Sequence, residues 1–261
     1  MLLKILFIGD VVGSPGRKIV CQALPRLIHR WGIGLVVCNA ENAAGGSGLT
    51  LRCFEELLDA GVDVMTMGDH VYRKDEIFLV FDRSDRVLRP ANFPPESPGP
   101  ELALVQARDG TLAAVFTVLG RTYMRPVDCP FHAADRIIER IGGSARVIVV
   151  DVHAEATSDK QLLGRYLDGR VSAVLGTHTH VATADEQILK GGTAYQTDVG
   201  MSGPYDSVIG VQKEQVLQRF LTGLPGRFEA AKGDPRFCAV LIECDEASGR
   251  ASSIQRLMLG E

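Results

Sequence analysis

The stretch VSAVLGTHTH, residues 171–180, decides how the chain is read: a β-branched and aliphatic run with a single serine goes straight into Gly176, Thr177, His178, Thr179 and His180. Nearly continuous apolar character over strand length is what a strand covered on both faces shows. The same figure recurs along the chain. Residues 3–8 lead into Gly9 and Asp10, residues 35–38 into Asn39, Ala40, Glu41 and Asn42, residues 62–67 into Gly68, Asp69 and His70, and residues 147–152 into His153. Further strand-like runs cover 112–119, 194–199 and 237–242, with helix-like stretches at 16–31, 51–60, 133–141, 160–167 and 212–221. This alternation predicts an α/β fold with a largely parallel inner sheet. The carboxyl ends of parallel strands share one edge, where ligands bind. Five strands should therefore deliver Asp10, Glu41, Asn42, Asp69, His70, His153, His178 and His180 to one place.

Each residue alone has an ordinary reading. Asp10 suits a turn, Glu41 and Asn42 suit a solvated loop, Asp69 suits a cap on the next helix, and His153 suits a core histidine. Together they do not, because four of only six histidines occupy strand ends, while His29 and His132 fall in helix-like or loop context. An H-x-H at a strand end is expected to point both rings to one side. Three carboxylates and four imidazoles desolvated without a cation would be costly. Mixed imidazole and carboxylate donors suit Zn, Mn or Fe, and their number suffices for two ions.

The 261 residues are 46% apolar and 23% charged, with Lys+Arg 28 against Asp+Glu 32 and a formal charge of -4. That composition excludes disorder and an extended basic nucleic-acid surface. No domain boundary is evident, so a single domain over 1–261 is expected, with the Pro-rich residues 89–100 as an ordered loop. The opening apolar run is too short for a signal peptide, Asp10 ends it, and no run approaches the roughly 20 residues of a membrane helix. Six scattered cysteines without C-x-x-C suit free thiols in the cytoplasm. Gly9, Gly13 and Gly16 do not make G-x-G-x-x-G, and no G-K-[ST] or G-x-S-x-G is present. Residues 89–93 and 123–126 could shape a pocket, Asn92 by hydrogen bonding and Arg125 by pairing with phosphate, or could only fix loop geometry. Residues 202–207 could close a wall of the site or form a subunit contact.

The order Asp10, Glu41-Asn42, Asp69-His70, His153, His178-Thr-His180 resembles the calcineurin-like metallophosphoesterases, and the strings GDVVGSPGR, NAENAAGG, GTHTHVATADE and TDVGMSGPYDSVIG resemble their bacterial YmdB-like branch. The resemblance implies an α/β/β/α sandwich with two metal ions, Fe or Mn before Zn or Mg, at the strand ends. It also implies a phosphodiesterase acting on 2',3'- or 3',5'-cyclic nucleotides through a metal-held hydroxide. By resemblance Asp10 and His180 are ligands of the first ion, Glu41 bridges, Asn42 is a metal-site amide, Asp69, His153 and His178 serve the second ion, and His70 is the non-ligand acid. Relatives of this kind are often homo-oligomers. Two positions depart from the superfamily pattern: Val12 stands where D-x-H has histidine, and Asp69 where G-N-H has asparagine. A metal-containing regulator that binds RNA or protein, with little catalysis, is the alternative reading.

Overall fold

In the computed structural model, which describes residues 2–260, the first half of the chain runs through β1 (Leu2–Ile8), β2 (Asp10–Val11), α1 (Gly13–Trp31), β3 (Leu35–Asn39), α2 (Leu51–Asp59), β4 (Val64–Thr66), α3 (Glu76–Arg83) and β5 (Val87–Leu88). Then follow β6 (Leu102–Gln106), β7 (Leu112–Leu119), α4 (Pro130–Ile141), β8 (Val147–His153), α5 (Thr157–Leu167), β9 (Ala173–Thr177), β10 (Gln187–Ile188), β11 (Ala194–Gln196), β12 (Met201–Pro204), α6 (Lys213–Thr222), β13 (Pro235–Asp245) and β14 (Ala251–Gly260).

The strands form two sheets, not the one that a simple alternation suggests. The first has the order β2-β12-β13-β1-β3-β4-β5, with β14 also on β13; the second has the order β10-β11-β9-β8-β7-β6. β1, β3, β4 and β5 are mutually parallel, as are β7, β8, β9 and β11. Antiparallel strands complete each sheet, β13 against β1 and β6 against β7. Two parallel sheets and one give identical apolar runs along the chain, so the division is decided only when the inner faces meet.

Three cores define four layers. Phe7, Val37 and Val240 of the first sheet meet Val115, Val149 and Leu175 of the second between the sheets. Val20 and Leu24 of α1 and Leu57 of α2 cover the outer face of the first sheet. Ile137 of α4 and Leu163 of α5 cover that of the second. The architecture is the α/β/β/α sandwich that the resemblance implied. The run 237–242 lengthens to β13, while β14 and β6 escaped the sequence reading because half-exposed strands lack a continuous apolar run: Ala103 and Val105 are buried while Leu104 is exposed. Helix α3 also escaped it, being eight residues without a side-chain cap. Strand 62–67 shortens to β4, and 194–199 to β11. Among the described residues no helix is long and apolar enough to cross a membrane, and all six cysteines are free.

Candidate metal centre

The carboxyl ends of β1, β3 and β4 in one sheet and of β8 and β9 in the other open on the same edge of the sandwich. A polar bridge pins the two sheets together directly beneath it. Asp151 of β8 accepts from Asn39 Nδ2 of β3 at 3.0 Å and from Thr66 Oγ1 of β4 at 2.5 Å, and its other oxygen accepts from Thr177 Oγ1 at 2.6 Å. All four side chains are fully buried, and burial lifts the Asp151 carboxyl to about 6 against these donors and His153. Since the Thr177 hydroxyl proton goes to Asp151, its oxygen is left to accept from His153 Nδ1 at 2.8 Å. In the neutral ring that places the proton on Nδ1 and leaves His153 Nε2, facing the edge, free to bind a cation.

Four residues converge there. His153 Nε2 lies 3.3 Å from Glu41 Oε1, 3.3 Å from Asp69 Oδ1 and 3.0 Å from His178 Nδ1, and one donor atom of each of Glu41, Asp69, His153 and His178 can be chosen so that all lie within 4.8 Å of one another. The far nitrogen of His178 is 3.2 Å from Glu155 Oε2. Gly68 is required by this closeness, because a Cβ there would overlap the His153 ring and the Glu41 carboxylate. Beside this group, His180 Nε2 stands 3.6 Å from Asp10 Oδ1 and 3.1 Å from Asn42 Nδ2, with its Nδ1 donating to the Ile209 carbonyl at 2.8 Å. His70 Nδ1 is 2.8 Å from Asn42 Oδ1 and 3.2 Å from Glu41 Oε1, and its backbone N–H donates to Glu41 Oε2 at 3.0 Å. Asp69 caps no helix, since α3 begins at Glu76.

Charge is concentrated here as the proximity demands. Burial opposes ionisation of Glu41, but His153 and His70 outweigh it and hold the carboxyl well below the usual carboxylate range. Burial likewise opposes charge at Asp10 and Asp69, and it is outweighed by His180 and His153 respectively, so both titrate low. His153 is desolvated, yet Glu41, Asp69 and Asp10 push it well above the ordinary 6.5. Burial and the neighbouring His153 push His178 down. His180 rises against its burial because of Asp10.

A cation fits this donor set. Asp10 Oδ1 and Asp69 Oδ1 are buried and accept no hydrogen bond, a costly state for carboxylate oxygens. Two imidazole nitrogens only 3.0 Å apart with two carboxylates make the mixed N and O set of a divalent ion. The chain thus carries a potential metal-binding site of Glu41, Asp69, His153 and His178.

The convergence of His178 and His180 has a different cause from the one expected. β9 ends at Thr177, and both histidines adopt positive φ, 95° and 64°, a conformation that costs a non-glycine residue roughly 1–3 kcal/mol. The turn is held from outside. His178 N–H donates to Asp10 Oδ2 at 3.0 Å, and Thr179 donates through N–H at 3.2 Å and Oγ1 at 2.7 Å to Asp198 Oδ2. The same oxygen takes Lys160 Nζ at 2.6 Å, a fully buried ion pair. Lys160, Asp198, Asp151, Thr177 and Glu155 were given no role in the sequence reading. Asp151 had a signal, a carboxylate inside the apolar run VIVVDVH; Lys160 reads as an ordinary helix residue. Asn92 turns inward, its amide bonded to Leu119 N and O and to the Asp128 carbonyl, so it ties two loops together.

The family model described as YmdB-like protein matches residues 6–257. The 2',3'-cyclic-nucleotide 2'-phosphodiesterase of Bacillus subtilis (strain 168) is 46% identical over 259 residues, 99% of this chain and 98% of that protein. A solved structure of a hypothetical protein from Thermus thermophilus has a TM-score of 0.93 at 45% identity, covering 99% of this chain and 100% of its own. A phosphatase from Mycoplasma pneumoniae also reaches 0.93, at 32% identity, covering 100% and 94%.

Proposed function

Because the chain belongs to the YmdB-like family, we propose that it is a metal-dependent phosphodiesterase that opens cyclic nucleotides, the 2',3'-cyclic kind first and the 3',5'-cyclic kind second. The observation that carries this reading is the pairing of a cation-fitted cluster with His70, a histidine that touches Glu41, Asn42 and Asp69 and stands outside the four-residue group that fits a cation. Glu41, Asp69, His153 and His178 would hold one ion, and Asp10 and His180, with Asn42 and Glu41 beside them, a second. Mixed N and O donors with three carboxylates favour Mn or Fe over Zn or Mg. Such ions supply Lewis acidity towards a phosphoryl group and towards water.

The chain's own residues do the rest. Burial lowers the His70 pKa, but Glu41 and Asp69 more than offset it and raise it, which favours the protonated ring. Nδ1 is engaged by Asn42, and Nε2, 3.8 Å from Asp69 Oδ2, is the nitrogen that would give its proton to the departing alkoxide. Asn42 also reaches His180 and so sets the distance between the acid and the ligand group. A purely structural or regulatory metal site has no use for such an acid, which favours the enzyme over an RNA- or protein-binding regulator.

The test is turnover of adenosine 2',3'-cyclic phosphate and of bis-p-nitrophenyl phosphate by protein loaded separately with Mn²⁺, Fe²⁺, Zn²⁺ and Mg²⁺. Release of adenosine 3'-phosphate is expected with Mn²⁺ or Fe²⁺. No turnover of either ester with any ion overturns the enzyme reading. Free thiols throughout support a reducing cytoplasm as the setting of the reaction. Helix α6 buries no residue, and its Phe220 is 84% exposed beside Leu217 and Leu221; we read this face as a contact between copies of the chain. Light scattering of wild type and Phe220→Ser checks it: a homo-oligomer that the substitution dissociates is expected, and a monomeric wild type refutes it.

A further inference from the structure

Next to the cluster, on the Asp69 side, opens a cleft of about 490 Å³ lined by Asp69, Tyr72, Arg73, Arg125 and Pro126. One wall is the loop after β4, the other the loop after β7. The Tyr72 hydroxyl is committed to the Pro98 carbonyl at 2.6 Å, and its ring packs edge-on against Phe93 at 5.9 Å. The Arg125 guanidinium lies 4.9 Å from the same Phe93 ring, which orients it without neutralising it. Besides Asp69, the polar groups this cleft presents are therefore two guanidiniums. Both are exposed, and among the described residues neither is paired with a carboxylate. The contrast with Arg89 is plain: it is buried, bonded to the Ser97 and Pro90 carbonyls and paired with Glu101.

A single cyclic phosphate carries one negative charge and is addressed by the metal cluster. Two unpaired guanidiniums outside it have no counter-anion in such a substrate, and the cleft has room for more than a phosphoryl group. Arginine forks match phosphate oxygens. We propose that Arg73 and Arg125 form an anion subsite for a second phosphate of the substrate, on the 5' side of the nucleoside whose cyclic phosphate reacts. This rests on the cyclic-nucleotide reading above. The substrates preferred are then 5'-phosphorylated nucleotides or the 3' ends of short RNA fragments rather than bare cyclic mononucleotides.

The experiment compares kcat/KM of the Mn²⁺-loaded protein on adenosine 2',3'-cyclic phosphate, on the same compound carrying a 5'-phosphate, and on the dinucleotide ApA ending in a 2',3'-cyclic phosphate. A preference of about ten- to a hundredfold for one or both phosphate-bearing substrates is expected, the worth of hydrogen bonds to a charged group. Preference for the monophosphate alone identifies a terminal phosphate as the ligand, and preference for both identifies a chain phosphate. In Arg73→Ala and Arg125→Ala the ratio should collapse towards one, with Arg125→Lys intermediate. A wild-type ratio of one, or arginine variants that lose rate equally on all three substrates, overturns the proposal; the second outcome would assign these arginines to the reacting phosphate. If bis-p-nitrophenyl phosphate is hydrolysed and no cyclic nucleotide is, the cyclic-nucleotide reading fails by itself. The subsite is then decided by calorimetric titration with adenosine 5'-monophosphate, which should bind more tightly than adenosine to wild type and not to Arg125→Ala. Equal binding of the two ligands to wild type overturns it.

Discussion

His70 and Asp69 are adjacent in sequence but differ in what the cluster asks of them. His70 touches Glu41 and Asn42 and is expected to act on the leaving group. His70→Ala should therefore lose about 10²-fold or more on a nucleoside cyclic phosphate, whose alkoxide needs a proton, and much less on bis-p-nitrophenyl phosphate. Rates on both esters, measured with the metal content of the variant, check this, and a uniform loss would mean that His70 positions phosphate instead. Asp69 adds a carboxylate whose Oδ1 faces His153 and His178. Asp69→Asn should loosen Mn²⁺ by about tenfold or more, since altering even outer partners of a metal costs that much. The same titration has a definite pH sign. Glu41 and Asp10 titrate low and are already ionised, whereas His153 and His180 are raised above 6.5 and must lose protons to bind a cation. Affinity should thus rise with pH from about 6.5 upward, and a flat profile would contradict the protonation assigned to these rings.

Between elements, the site depends on how strands are tied and not only on where they end. The Asn39, Thr66, Asp151 and Thr177 bridge joins β3 and β4 to β8 and β9, so the two halves of the ligand set keep one separation. Lys160 of α5 reaches through Asp198 to Thr179 and holds a turn that two positive-φ histidines would otherwise resist. Lys160→Met should cost about 3–5 kcal/mol, because it leaves the Asp198 carboxylate buried and unpaired. Denaturant midpoints measure the loss, and a double variant Lys160→Met/Asp198→Leu should recover part of it. If the single variant unfolds at the wild-type midpoint, the buried pair is not what supports the turn.

For the molecule as a whole, clustered carboxylates at the edge where two sheets meet would make a bound cation a part of the fold's stability. An ion present at a hundred times its dissociation constant adds about 2.7 kcal/mol. For a chain of 261 residues that corresponds to roughly 5–10 °C in Tm. Chelator treatment should lower the calorimetric Tm by that amount, and Mn²⁺ should restore it. An unchanged Tm would place the ion outside the folded core of the site.

The chemical groups of the site, and the strand ends that carry them, were legible in the amino-acid order alone. Apolar runs of strand length followed within three residues by Asp10, Glu41, Asp69, His153 and His178 are local features, since a doubly covered strand is largely apolar and the polar residues at its carboxyl end come next in sequence. The family strings were local as well. The number of sheets, strand β14 and the supports of the site lay beyond such a reading. Lys160 and Asp198 are 38 residues apart and Asn39 and Asp151 are 112 apart; neither residue of a pair changes its own local pattern by having the other as partner. The H-x-H geometry is the clearest case. Strand alternation would have aimed both rings to one side, but the strand stops at Thr177, and the rings converge because tertiary hydrogen bonds stabilise a left-handed backbone that the local sequence disfavours.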